Sequence, residues 1–147
     1  MTIRKKIFIW TSVLIGLAAC SVEQPQNGSA PEEPKVPQEV AGALEGQLLV
    51  RFDERVSDIL DKAGVTKSGP SAPMTRSGVL TVDEILDLVD GYQIERVFPV
   101  DSRTEDKARK DGLHLWYVVR FSDKHSVEKV AADLSQLGEV SRVEYNR

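Results

Sequence analysis

The chain has 147 residues, of which 41% are hydrophobic and 29% are charged, and this length suits one small domain because chains of roughly 100–200 residues usually form one. The formal net charge is −4, and the acidic balance with scattered bases argues against a nucleic-acid-binding protein, which concentrates its bases on one face. One cysteine excludes an internal disulfide framework, and two histidines leave little for a metal centre or a catalytic triad, so we expect no metal and no cofactor.

The first predicted element is a secretory signal peptide at residues 1–20. Three bases at positions 4–6 form its positive end, and residues 7–19 are uncharged and mainly apolar, too short for the ~20 residues that span a membrane. The end of this stretch, Leu17-Ala18-Ala19-Cys20, resembles the bacterial lipobox. The resemblance implies cleavage between Ala19 and Cys20 and lipidation of Cys20. The alternatives are an ordinary signal peptide and a transmembrane anchor.

A lipidated Cys20 implies that the mature protein is lipid-anchored in a bacterial cell envelope, on the periplasmic side or at the cell surface. Residues 21–44 follow, and they are rich in Pro, Gln and Glu, with almost no apolar residue to bury. Such a composition does not offset the entropy lost on ordering. We therefore predict a disordered tether at 21–44 and a folded domain at 45–147.

The sequence pattern of the folded part predicts the element order β-α-β-β-α-β, in which residues 54–78 form an insertion. Both longer helices have a single apolar stripe, so we expect a ferredoxin-like α+β domain with a four-stranded antiparallel sheet and two helices on one face. We expect Thr81 to cap the first of them, with Glu84 as its capping-box partner. The strands are predicted at 47–52, 92–98, 113–121 and 140–145, a short helix at 54–63, the two longer helices at 81–89 and 126–137, and loops at 64–78 and 101–112.

A sheet covered on one face leaves the other face toward solvent. In the third strand the alternation separates Leu115, Tyr117, Val119 and Phe121 from His114, Trp116, Val118 and Arg120. If the first set is the core, Trp116 and Val118 stand on the uncovered face together with Leu49 of the first strand, as a candidate protein-binding patch. Two alternatives are open: the loop at 64–78 covers this face, or the faces are assigned wrongly by one residue.

Three segments resemble the N-terminal prodomain of subtilisin-like serine proteases, of the fervidolysin type. They are Gly46–Phe52, Leu113–Phe121, and Leu137-Gly138-Glu139-Val140 with the following Val143-Glu144-Tyr145-Asn146. The resemblance implies that the sheet face docks on the catalytic domain, that the segment after the last strand enters the active-site cleft, and that the prodomain is both folding chaperone and inhibitor. It implies partner-binding roles for Leu49, Trp116 and Val118, with His114 and Arg120 at the rim, and an inhibitory tail beginning with Glu144, Tyr145, Asn146 and Arg147.

This chain has no triad and is not itself predicted to be an enzyme; it is expected to be the N-terminal part of a serine endopeptidase or its partner, in cis or in trans. An alternative is a free-standing envelope lipoprotein that acts as a binding module or a protease inhibitor in trans. A third is a small enzyme or ligand-binding domain, but the sequence has no cluster of titratable groups for it. The membrane is expected to be contacted through the N-terminal lipid only.

Overall fold

The computed structural model describes residues 35–36, 40–64 and 73–147. The predicted signal peptide, including Ala19 and Cys20, lies outside these ranges, as does most of the predicted tether. The described elements are, in chain order, β1 Gln47–Phe52, α1 Ser57–Gly64, α2 Leu80–Leu88, β2 Gln93–Arg96, α3 Glu105–Lys110, β3 Trp116–Arg120, α4 Val127–Ser135 and β4 Val140–Tyr145. Two short 3-10 turns precede α1 and β3, at Glu54–Val56 and Leu113–Leu115.

The strands form one antiparallel sheet with the order β2-β3-β1-β4. In the central strand β1, Leu49 lies opposite Val118 of β3 on one side and opposite Glu144 of β4 on the other. β3 also pairs with β2, where Ile94 lies opposite Val119. This strand order, with helices packed on the sheet, is the ferredoxin-like α+β arrangement, and the predicted fold class is confirmed.

The core lies between the sheet and the helices, because every second residue of the central strands is apolar and points the same way. In β1 and β3 these residues are at most 1% exposed, whereas their neighbours are half-buried. Phe52 and Tyr117 meet edge to face, with ring centroids 5.4 Å apart. The predicted stripe of α4 supplies the opposing surface through four buried residues, Val127, Val130, Ala131 and Leu134.

The strand β4 departs from strict alternation, since Val140 and Val143 are three residues apart and both are fully buried. Its register with β1 shifts between Arg51 and Phe52, which leaves Ser141 as an extra residue. The Ser141 hydroxyl donates to the carbonyl oxygens of Arg51 and Phe52, at 3.0 and 3.2 Å. This β-bulge reverses the direction of the side chains once, so both valines reach the core.

The helix α2 begins one residue earlier than predicted, and a different side chain holds its first turn. Thr81 lies inside the helix, and its Oγ1 has no hydrogen-bond partner among the described residues. The Asp83 carboxylate accepts hydrogen bonds from the backbone N–H groups of Ser77 and Gly78, at 2.8 and 3.1 Å, and from the Ser77 hydroxyl. The predicted capping box of Thr81 and Glu84 is wrong, because the preceding turn folds back onto the helix.

The charged stretch 101–112, predicted as a loop, contains α3. Arg109 holds this helix against the body of the domain, with Nη2 2.7 Å from Asp61 Oδ2 of α1 and Nε 2.9 Å from Glu105 Oε1. The next predicted strand is shorter than expected, because residues 113–115 form a 3-10 turn and β3 begins at Trp116.

Part of the segment predicted as a disordered tether contacts the domain. The Val143 N–H of the edge strand β4 donates to the Lys35 carbonyl at 2.7 Å, and the Leu44 N–H donates to the Asn146 carbonyl at 2.8 Å. The ordered part therefore begins before Glu45, and it covers part of an edge that would otherwise present unpaired backbone groups. Three more residues of this segment pack partly buried against the core, namely Val36, Val40 and Ala43.

Candidate docking face

One face of the sheet points away from the core and its helices, and we call it the open face. Its apolar centre consists of Leu49, Trp116 and Val118, all half-buried. Leu49 lies directly opposite Val118 on the neighbouring strand, and Trp116 lies opposite Arg51 in the same way. The structure thus brings together the three apolar residues that the sequence predicted for this face. Its polar residues are Gln47, Arg51, Gln93, Glu95, Arg120, Arg142 and Glu144.

The sequence left two alternatives for this face: a face assignment wrong by one residue, and coverage by the loop at 64–78. The first is excluded, because Tyr117 is 1% exposed in the core while Trp116 and Val118 are not buried. Of the loop at 64–78, residues 65–72 lie outside the described ranges. The part that is described runs along the outer edge of β2, where Met74 exchanges two backbone hydrogen bonds with Ile94 at 2.7 and 2.6 Å.

Charged side chains frame the apolar centre. Arg120 Nη1 lies 3.1 Å from Glu95 Oε2, and Arg142 Nε lies 2.8 Å from Glu144 Oε1. Arg51 lies on β1, between the strands that carry Arg120 and Arg142, and it is in register with Trp116 and Arg142. Sequence reasoning did not count Arg51 as a docking residue, although the same alternation that selected Leu49 places Arg51 beside it.

His114 does not lie at the rim of the open face, and this prediction is wrong. It belongs to the 3-10 turn before β3, its side chain is 1% exposed, and neither ring nitrogen has a hydrogen-bond partner in the described chain. Its nearest charged neighbour is Glu54, with Nε2 and Oε1 3.4 Å apart. The predicted alternation failed here because the extended backbone of β3 starts two residues later. Arg120 does lie on the open face, as expected.

The four residues predicted to begin an inhibitory tail divide into two pairs. Glu144 and Tyr145 belong to β4, and Tyr145 is only 8% exposed, so neither begins a free tail. Asn146 follows the strand, and its side-chain amide donates to Gln47 Oε1 at 3.1 Å. Arg147 is exposed. A segment that leaves the sheet here starts at Asn146, where its path is fixed next to β1.

Among the described residues, no group of three or more His, Cys, Asp or Glu side chains is arranged to hold a metal ion. The described helices also include none with the length and apolarity to span a bilayer. Lipidation of Cys20 and cleavage after Ala19 stay predictions, since both residues lie outside the ranges that the structure describes.

Comparison of the chain with models of protein families, with curated proteins and with solved structures gave no match.

Proposed function

We propose that this chain is the prodomain of a subtilisin-like serine protease and that its open face docks on the catalytic domain. The observation that supports this best is the juxtaposition of Leu49, Trp116 and Val118 on adjacent strands of a sheet whose other face is the core. A large aromatic residue among aliphatic neighbours is the composition typical of a binding hot spot. A hydrogen-bonded sheet also holds these side chains in place before binding, which lowers the entropy cost of association.

Docking of this kind would serve both roles expected of a prodomain. A partner that binds only the folded catalytic domain stabilises that state by mass action, so the open face would favour folding of the protease. Inhibition would come from the segment after β4. Its starting point is held by Asn146, which bonds to Gln47 through its side chain and to Leu44 through its carbonyl.

The proposal includes the expected location of the protein. Lipidation at Cys20 would anchor the mature chain in the bacterial envelope, and attached acyl chains hold a protein more firmly the more of them are buried. The folded domain would reach its protease from a membrane-attached position. Membrane release of a Cys20→Ser variant after signal cleavage is the expected result; retention in the membrane fraction would contradict the lipid anchor.

The docking role is tested by substituting Trp116 with Asp in the full chain and measuring inhibition of the purified catalytic domain of a subtilisin-like endopeptidase. Desolvating a carboxylate at the centre of the interface is unfavourable, so we expect the inhibition constant to rise by about 30-fold or more, the size typical of a hot-spot loss. The matched control is Leu88→Asp, which makes the same chemical change at a residue that is 77% exposed on α2. That control should inhibit like the wild type.

Equal inhibition by wild type and Trp116→Asp would overturn the open-face model. The reading frame beyond codon 147 separates action in cis from action in trans. A frame that encodes a catalytic domain with Asp, His and Ser triad blocks supports action in cis, whereas a stop codon supports an inhibitor that meets its protease as a separate chain.

A further inference from the structure

The open face carries one arginine that has no acidic partner among the described residues. Its three arginines are Arg51, Arg120 and Arg142, and the carboxylates of Glu95 and Glu144 bind the second and third of them. Arg51 forms no ion pair with any carboxylate in the described part of the chain. It lies opposite Arg142 on β4 and opposite Trp116 on β3. Like charges directly across a sheet are unfavourable, so the free domain gains nothing from this arrangement.

The nearest acidic residue along the chain does not neutralise Arg51. Asp53 is bound by Arg55, whose Nε lies 2.7 Å and whose backbone nitrogen lies 3.0 Å from Asp53 Oδ1. The Arg55 side chain is the main reason why the pKa of Asp53 is below its ordinary value, and Arg51 contributes least to that shift. The guanidinium of Arg51 therefore keeps its charge available on the open face.

A turn next to the open face lies close to this guanidinium. Gly112 adopts a left-handed conformation with φ of +69°, and a Cβ atom at this position would lie 2.8 Å from Arg51 Nη2. The turn thus approaches the guanidinium closely, which limits its freedom before any partner binds. Arg51 thus has a restricted side chain, no acidic partner among the described residues and a like charge across the sheet. Such departures from what favours sheet stability are expected at functional sites.

We propose that Arg51 receives a carboxylate of the partner protein when the open face docks. The inference rests on the proposed function, and it specifies the chemistry of the surface on the catalytic domain: an acidic side chain among apolar residues that contact Trp116 and Leu49. A guanidinium suits this role because its planar fork binds both carboxylate oxygens at once.

The test compares inhibition constants of full-length variants against the purified catalytic domain of a subtilisin-like serine endopeptidase, at low and high ionic strength. Loss of a charge-assisted hydrogen bond typically weakens binding about 10- to 100-fold, and we expect Arg51→Met to fall in this range and Arg51→Glu to exceed it. Arg51→Lys should give an intermediate loss. The matched control is Arg76→Met, whose guanidinium is paired with Asp87 of α2, away from the open face; it should change inhibition less than threefold, within the small effect of an exposed ion pair.

The salt dependence of inhibition distinguishes a charged contact with the partner from a purely structural role of Arg51, which would leave it unchanged. Inhibition by the wild type should weaken as salt is added, and that of Arg51→Met should weaken less, because the screened pair is absent. Urea unfolding of each variant controls for loss of fold. If Arg51→Glu inhibits the protease as strongly as the wild type while Trp116→Asp inhibits it more weakly, the role of Arg51 is overturned and the proposed function is left intact. If the wild type does not inhibit the protease at all, both are overturned.

Discussion

Two glycines at the ends of strands β1 and β4 have different local requirements. Gly46 precedes β1 with φ of +68°, and a Cβ atom there would lie 2.7 Å from the backbone oxygen of Phe121. The Phe121 N–H donates to the Gly46 carbonyl at 2.9 Å, so the two strands are joined at this point. Gly138, before β4, does not adopt a left-handed conformation, and a Cβ atom there would have no heavy atom within 4 Å. The first site needs glycine and the second does not.

We expect Gly46→Ala to lower the free energy of unfolding by about 1–3 kcal/mol, because both the left-handed backbone and the close approach penalise a Cβ atom. Gly138→Ala should leave it unchanged or raise it by up to about 1 kcal/mol, since alanine reduces the entropy of the unfolded chain. Urea unfolding monitored by the fluorescence of Trp116 measures the free energy of unfolding of both variants. Equal stability of the two variants would contradict the assignment.

At the scale of single elements, α2 depends on an acid inside its first turn rather than on a residue in front of it. Asp83 is 7% exposed and accepts three hydrogen bonds, two from Ser77 and one from Gly78. Sequence pattern favoured Thr81 and Glu84 because a Thr-x-x-Glu spacing is the usual mark of a helix start. The pattern cannot show that residues 77–78 turn back toward the helix, since this depends on where the preceding segment is held.

Asp83→Ala should lower the free energy of unfolding by about 2–4 kcal/mol, because it leaves buried donors of Ser77 without an acceptor. Thr81→Val is the matched control within the same turn. It removes a hydroxyl that has no partner among the described residues, so stability should change by less than about 0.5 kcal/mol. Chemical denaturation monitored by far-UV circular dichroism measures the difference; a larger loss in Thr81→Val than in Asp83→Ala would restore the capping box.

At the scale of the whole molecule, a single arginine joins four elements. The side chain of Arg96 on β2 is 7% exposed, and it contacts Asp61 of α1, Glu105 of α3 and the Tyr117 hydroxyl of β3. Burial by itself would lower the pKa of Arg96, but the hydrogen bond to Tyr117 and the two carboxylates raise it above the ordinary value. Arg109 contacts the same two carboxylates from a position that is 40% exposed.

Arg96 and Arg109 contact the same two carboxylates but differ in exposure, so comparing their variants shows how burial affects the stability that these contacts contribute. Arg96→Met should lower the free energy of unfolding by about 2–3 kcal/mol, below the 3–5 kcal/mol of a fully buried pair because the carboxylates are partly exposed. Arg109→Met should cost less than about 1 kcal/mol, as expected for an exposed pair. The measurement is thermal and urea unfolding of both variants side by side. Similar losses would show that exposure does not control the strength of these contacts.

The predictable part of the candidate site depends on local periodicity. Alternation in β1 and β3 was enough to place Leu49, Trp116 and Val118 on one face, because successive strand residues point to opposite sides wherever the backbone is extended. His114 shows the limit of this reasoning, since the alternation was continued into a segment that forms a 3-10 turn. Arg51 was available to the same reasoning, but its lack of a partner emerges only when the other strands are in place.

The sequence by itself determined the four strands, α2, α4 and the faces of the central strands, through the alternation of β1 and β3 and the stripe of α4. These signals are local, because each arises from the geometry of one strand or one helix. Only the tertiary structure decided the bulge at Ser141, the acid that holds α2, the packing of Lys35 against β4 and the position of Arg51 beside Arg142 with no acidic partner among the described residues. Most of these features depend on contacts between residues far apart in the chain, and the contact of Asp83 with Ser77 depends on how a turn is held. Neither kind of contact leaves a periodic signal in the sequence.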